Sequence, residues 1–79
     1  MIITNELTIK EHLKCDVIQI RDIKKLDIGD TVLAPDCLDV QSKYYKEVLT
    51  VLAINKHTFT LGISPIILGK IGWYKINKQ

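Results

Sequence analysis

Leu26-Asp27-Ile28-Gly29-Asp30-Thr31-Val32-Leu33-Ala34-Pro35 decides how this chain is read. A polar connector reaches Gly29, whose backbone is permissive where the chain must turn. Thr31 to Ala34 is then a short apolar run rich in strand formers, and it stops at Pro35, which has no N–H for a ladder. Downstream, residues 36–43 are polar and without period. Residues 44–54 read as the longest strand, with Val48, Thr50, Leu52 and Ile54 on one face and Leu49, Val51 and Ala53 on the other. Both faces are apolar, which predicts a strand covered on both sides. Asn55-Lys56-His57 has the length of a hairpin turn, and residues 58–61 pair back.

Upstream, residues 16–23 predict a strand with Ile18 and Ile20 on one face and Gln19 and Arg21 on the other. Residues 8–14 predict one or two helical turns, opened by a Thr8…Glu11 capping box, with Ile9 and Leu13 on one side. Residues 1–4 are a short strand or an ordered end. At the other extreme, residues 73–77 form a last strand, while residues 62–72 are apolar but broken by three glycines and a proline. The expected fold is mainly β: a small antiparallel barrel of five or six strands with one short N-terminal helix, residues 1–79 forming a single domain.

Composition is compatible with that. The chain has 79 residues, 47% hydrophobic and 25% charged, with thirteen Ile. This supplies one compact core, in a size class where stability is thin. The formal net charge of +2 is a weak field, which permits a nucleic-acid partner without implying one and argues against an acidic DNA mimic. Ten Lys against one Arg, and only two Ala, is the usage of an AT-rich genome such as that of a low-GC bacterium, its phages or a large DNA virus. Two cysteines, Cys15 and Cys37, make no disulfide scaffold. Nothing in the first residues reads as a signal peptide, and no apolar run has the ~18–20 residues of a membrane span. The expected setting is cytoplasmic, with reduced thiols.

Short strands, a Gly-Asp opening and a long central hairpin resemble Src-homology-3-like (SH3-like) barrels. Within that group, Gly29-Asp30-x-Val32-Leu33-Ala34-Pro35, then Tyr45-x-x-Val48, then Phe59-x-Leu61, resembles Tudor-like domains over residues 26–61. The resemblance implies a barrel that holds a partner, in many members a methylated Lys or Arg inside an aromatic cage. This chain departs from the cage pattern. Asp36 and Cys37 follow Ala34-Pro35 where an aromatic is usual, and Gly62 and Ile63 follow the second strand. Only Tyr45, with Tyr44 beside it, fits a cage position.

Chemistry-bearing residues are sparse. His12, Cys15, Cys37 and His57 are zinc-ligand types, but their spacing matches no familiar site. Cys37 and His57 could form a nucleophile pair only if the fold joined them. Asp27 and Asp30 flank Gly29 and are better placed to bond turn amides than to hold calcium. The expectation is a protein without catalytic, cofactor-binding or metal residues, without a cofactor, and without a small-molecule substrate or membrane partner.

Two surfaces remain. Ile63, Ile66, Ile67, Leu68, Ile71 and Trp73 crowd apolar side chains into a stretch where loops are normally polar, which points to a protein partner or self-association. Lys43, Tyr44, Lys46, Lys70, Trp73 and Lys75 interleave cations with aromatics, which suits base stacking and phosphate contact. The favoured expectation is a non-enzymatic binding module acting through protein–protein contact. One concrete form is a phage- or virus-encoded inhibitor that occludes a host protein. The alternative is a nucleic-acid-binding SH3-like domain.

Overall fold

The computed structural model describes residues 3–62 and 65–77. The described part begins with helix α1, Glu6–Leu13. Its N-cap is Asn5: the Thr8 amide donates to Asn5 Oδ1 and the Asn5 amide donates to Thr8 Oγ1, both at 2.9 Å. The capping box is therefore Asn5…Thr8, one turn earlier than the expected Thr8…Glu11. Asn caps at least as well as Thr, and Thr8 at the third helical position can return the bond. The helix ends on Lys14 in the left-handed region (φ 58°), its N–H donating to Lys10 O.

Seven short strands follow among the described residues: β1 Val17–Ile20, β2 Thr31–Leu33, β3 Leu49–Thr50, β4 Ala53–Ile54, β5 Thr58–Thr60, β6 Pro65–Ile67 and β7 Trp73–Ile76. They form two antiparallel sheets, ordered β1-β7-β2-β3 and β4-β5-β6. A single turn of 3-10 helix, Ile23–Lys25, capped by Asp22, links β1 to the Gly29 turn. The stretch from Leu49 to Ile54 passes from one sheet to the other. The Val51 amide donates to Asp30 O at 2.9 Å, on the β2 side, and the next amide, that of Leu52, donates to Thr60 O at 2.8 Å, on the β5 side.

The expected closed barrel is not what forms. Both sides of β7 are taken, by β1 and by β2, and among the described residues β6 pairs only with β5. β6 is three residues long and opens on Pro65, which has no donor for a further strand. The result is mainly β, two sheets and one short helix.

The four-stranded sheet is buried on both faces. Ile20, Val32 and Trp73 face the second sheet and join Leu26, Ala34, Val51, Phe59 and Leu68 in one core cluster. Val17, Leu33 and Tyr74 point the other way and pack with Ile9 of α1, Cys37 and Leu38 in a second. The registers Ile20↔Trp73, Val32↔Lys75 and Leu33↔Tyr74 produce this alternation. Burying each large aliphatic or aromatic side chain contributes about 1.5–3 kcal/mol.

Double coverage was expected of residues 44–54. Instead it belongs to β2 and β7, where Val32, Leu33, Trp73 and Tyr74 are all buried. Residues 44–47 lie in turns, and Val48 and Leu52 are exposed. The bend at Val51 explains this, because it points Val51 inward between the sheets and divides the alternation. β1 is shorter than expected. Ile18 and Ile20 do share a face, but Ile18 lies opposite Lys75 at the sheet margin and is exposed.

Candidate functional site

The loop after β2 is a run of tight turns. The amides of Cys37, Asp39, Ser42, Tyr45 and Glu47 each donate three residues back, at 3.0–3.1 Å. Short polar side chains complete it: Ser42 Oγ donates to Asp36 Oδ2 at 2.8 Å, and the Gln41 amide donates to Asp39 Oδ1 at 3.0 Å. Cys37 and Leu38 are driven into the α1-side core and anchor the loop. A second anchor is the Lys46 amide, donating to Cys37 O at 2.8 Å from a left-handed residue (φ 55°).

This anchoring leaves Val40 outside, 72% exposed. Two other aliphatics stand beside it. Ile3 is 75% exposed, in a segment tied down by the Tyr74 hydroxyl donating to Thr4 O and by Thr8 Oγ1 donating to Ile3 O. Ile71 is 62% exposed, and its carbonyl accepts from Gln19 Nε2 at 2.7 Å. Gly72 follows in the left-handed region, pressed against Ile20. Ile3, Val40 and Ile71, with Leu38 and Pro35 beneath, line a groove of about 560 Å³. Asp36 and Asp39 are the charged residues in its wall. A smaller hollow of about 270 Å³, by Gly29, Thr31 and Lys75, is polar and contains the Lys75–Asp30 ion pair at 3.3 Å.

The apolar residues predicted to bind a partner are dispersed. Leu68 and Trp73 are core residues. Ile66 is half-buried against the same core, and Ile67 is exposed on β6. Ile63 lies outside the described residues. Among the described members of the set, Ile71 is the one that lines the groove. Ile3, Leu38 and Val40 were not singled out from the sequence. The available signal was Leu38 and Val40, two large aliphatics in a mostly polar loop.

The cation–aromatic set is also partly spent within the fold. Trp73 is 4% exposed and packs T-shaped with Tyr44 at 5.4 Å and Phe59 at 5.2 Å, so its ring is not open to a stacking base. Lys43 lies over the Tyr44 ring at 5.0 Å and Lys46 over the Tyr45 ring at 5.2 Å. The Tyr45 face that a cage would offer to a methylated cation therefore has a lysine of this chain above it. Lys75 is paired with Asp30, and Lys70 is exposed.

No group of three or more His, Cys, Asp or Glu is placed to hold a metal ion among the described residues. His12 is exposed on α1 and His57 at the tip of the β4–β5 hairpin. Cys37 is buried, and burial pushes its thiol up to about 11, with the charges of Asp36 and Cys15 adding and a backbone hydrogen bond partly offsetting. Such a thiol is neutral at ordinary pH, a small hydrophobe and a poor nucleophile. Asp30 Oδ2 accepts from the Asp27 amide at 2.7 Å, fixing the Gly29 turn as expected of Asp30, whereas the Asp27 carboxylate makes no such bond among the described residues. Among the described residues, no helix is long and apolar enough to cross a membrane.

No family model, curated protein or solved structure matches the chain.

Proposed function

We propose that this chain is a non-enzymatic binding module that holds a segment of a protein partner in the groove between Ile3, Val40 and Ile71. One observation carries the reading: three large aliphatics, from three parts of the chain, are each more than 60% exposed and face one concavity. Exposed large aliphatics are ordinary singly, but convergence on a groove marks interaction surfaces. The SH3-like reading has the support of the strand order. β2, the bent Leu49–Ile54 stretch, β5, β6 and β7 run in sequence around the inter-sheet core, and the bent stretch serves both sheets. A phage- or virus-encoded inhibitor occluding a host surface is one setting in which such a module would work.

The test is selection of random peptides on the full chain, followed by affinity measurement on Val40→Asp and Ile71→Asp. Both side chains are exposed, so the variants should keep the wild-type circular dichroism and melting temperature. Selected peptides should bind each variant at least about tenfold more weakly, the cost of placing a carboxylate against an apolar contact. Peptides that bind both variants as well as wild type, or a selection that yields none, would overturn the proposal.

A further inference from the structure

We infer that the segment this groove receives is basic as well as aliphatic: one or two large aliphatic side chains flanked by Lys or Arg. The inference rests on the docking reading above and specifies the partner's chemistry. The groove runs against the charge of the molecule. The chain carries a formal net charge of +2, yet the charged residues in the groove wall are both carboxylates, Asp36 and Asp39. Neither makes an ion pair among the described residues, where the salt bridge present is Lys75–Asp30. Each spends one oxygen on its own loop, Asp36 Oδ2 on Ser42 and Asp39 Oδ1 on the Gln41 amide. Those bonds fix the carboxylates in place and leave Asp36 Oδ1 and Asp39 Oδ2 for an incoming donor. Fixed carboxylates beside an apolar floor attract cations and repel anions, and a docked segment that excludes water strengthens both effects.

The same charges disfavour a second copy of this chain as the occupant. A two-fold dimer sets a patch against itself. Through this groove it would bring Asp36 and Asp39 against their own copies, four carboxylates at an apolar seam. Self-association is therefore an outcome that the test must register.

The test uses the full chain, isotope-labelled, and two nonapeptides with the same two leucines. In one the four flanking residues are lysines, in the other glutamates. The lysine peptide should shift the amide signals of Leu38, Val40 and Ile71 and bind at least about fivefold more tightly than the glutamate peptide at low salt. The preference should shrink as salt rises from about 0.05 M to about 0.5 M. In Asp36→Asn with Asp39→Asn it should largely disappear. Asn keeps a carbonyl oxygen for Ser42 and Gln41, and an unchanged melting temperature would verify that the loop is intact. Equal binding of the two peptides at the groove, or a preference for glutamate, overturns this inference and leaves the docking reading standing. If neither peptide shifts the groove amides while random peptides are selected there, the partner chemistry is wrong. If those amides shift only with protein concentration, the occupant is a second copy and the inference fails.

Discussion

Gly72 is the least replaceable of the four glycines. Its φ is +77°, and a Cβ there would lie 2.0 Å from the carbonyl oxygen of Ile20, a backbone atom that cannot swing away. Gly69 has the same φ of +77° with nothing within 4 Å, which makes it a matched control. Gly69→Ala should cost about 1 kcal/mol from backbone strain alone, whereas Gly72→Ala should cost at least about 3 kcal/mol or prevent folding. Urea titration of both variants measures the difference. Cys37 gives a second prediction at this scale. Its folded thiol ionises near pH 11 against an ordinary 9.0, so the buried state holds its proton more tightly than the unfolded chain does. Its contribution is complete below about pH 9 and is lost as pH rises through about 11, by no more than about 2 kcal/mol once screening is allowed for. Tyr74, also raised by burial, acts in the same direction. Urea midpoints measured from pH 8 to pH 11 should fall less steeply in Cys37→Ala. The Asp30–Asp27 turn was legible from residue types alone, because a carboxylate three residues after an amide has a bond to make. The Gly72 constraint was not, since it depends on Ile20, which is remote in sequence.

At the scale of elements, α1 is too short to persist alone and is held by what it buries. Ile9 is fully buried and its cap is Asn5. Ile9→Ala should therefore destabilise the protein by about 3 kcal/mol and Asn5→Ala by about 1 kcal/mol, read from thermal melts. If the two costs were equal, tertiary docking would not be what holds the helix. The sequence was informative where an element depends on local chemistry. The helix, β2 ending just before Pro35, the β4–β5 hairpin and the final strand all lie near their expected places. It misled at residues 44–54, where alternation of apolar residues looks the same in a straight strand and in one that bends between two sheets. The turns over residues 44–47 depend on Lys46 adopting a left-handed conformation, for which lysine gives no advance sign.

The whole molecule is three layers, α1 on a four-stranded sheet on a three-stranded sheet. Its radius of gyration is 11.7 Å, as expected for a compact chain of this length, where the scaling rule gives about 12 Å. The mainly β character was legible, but the openness of the structure was not. β6 finds no place beside β7 because β1 and β2, both distant from β7 in sequence, take its two sides. The groove was hidden for the same reason. Its walls come from Ile3, from the residue 35–40 loop and from Ile71, which no local pattern connects. The broken apolar stretch at residues 62–72 is the stronger local signal, and of it the fold places Leu68 in the core and Ile66 half-buried against it, with Ile67 and Ile71 exposed.

The position of β7 has a consequence for synthesis. The smaller sheet, β4 to β6, is built from neighbours in sequence and can assemble as soon as those residues exist. The larger sheet cannot, because β7 occupies a central place between β1 and β2 and brings both Trp73 and Tyr74 to the two cores. Closing that sheet joins residues about forty or more positions apart, which slows assembly. A ribosome that has delivered everything up to Gly72 has therefore delivered strands whose central partner is missing. The apolar faces of β1 and β2 stay open to other molecules until the last strand emerges.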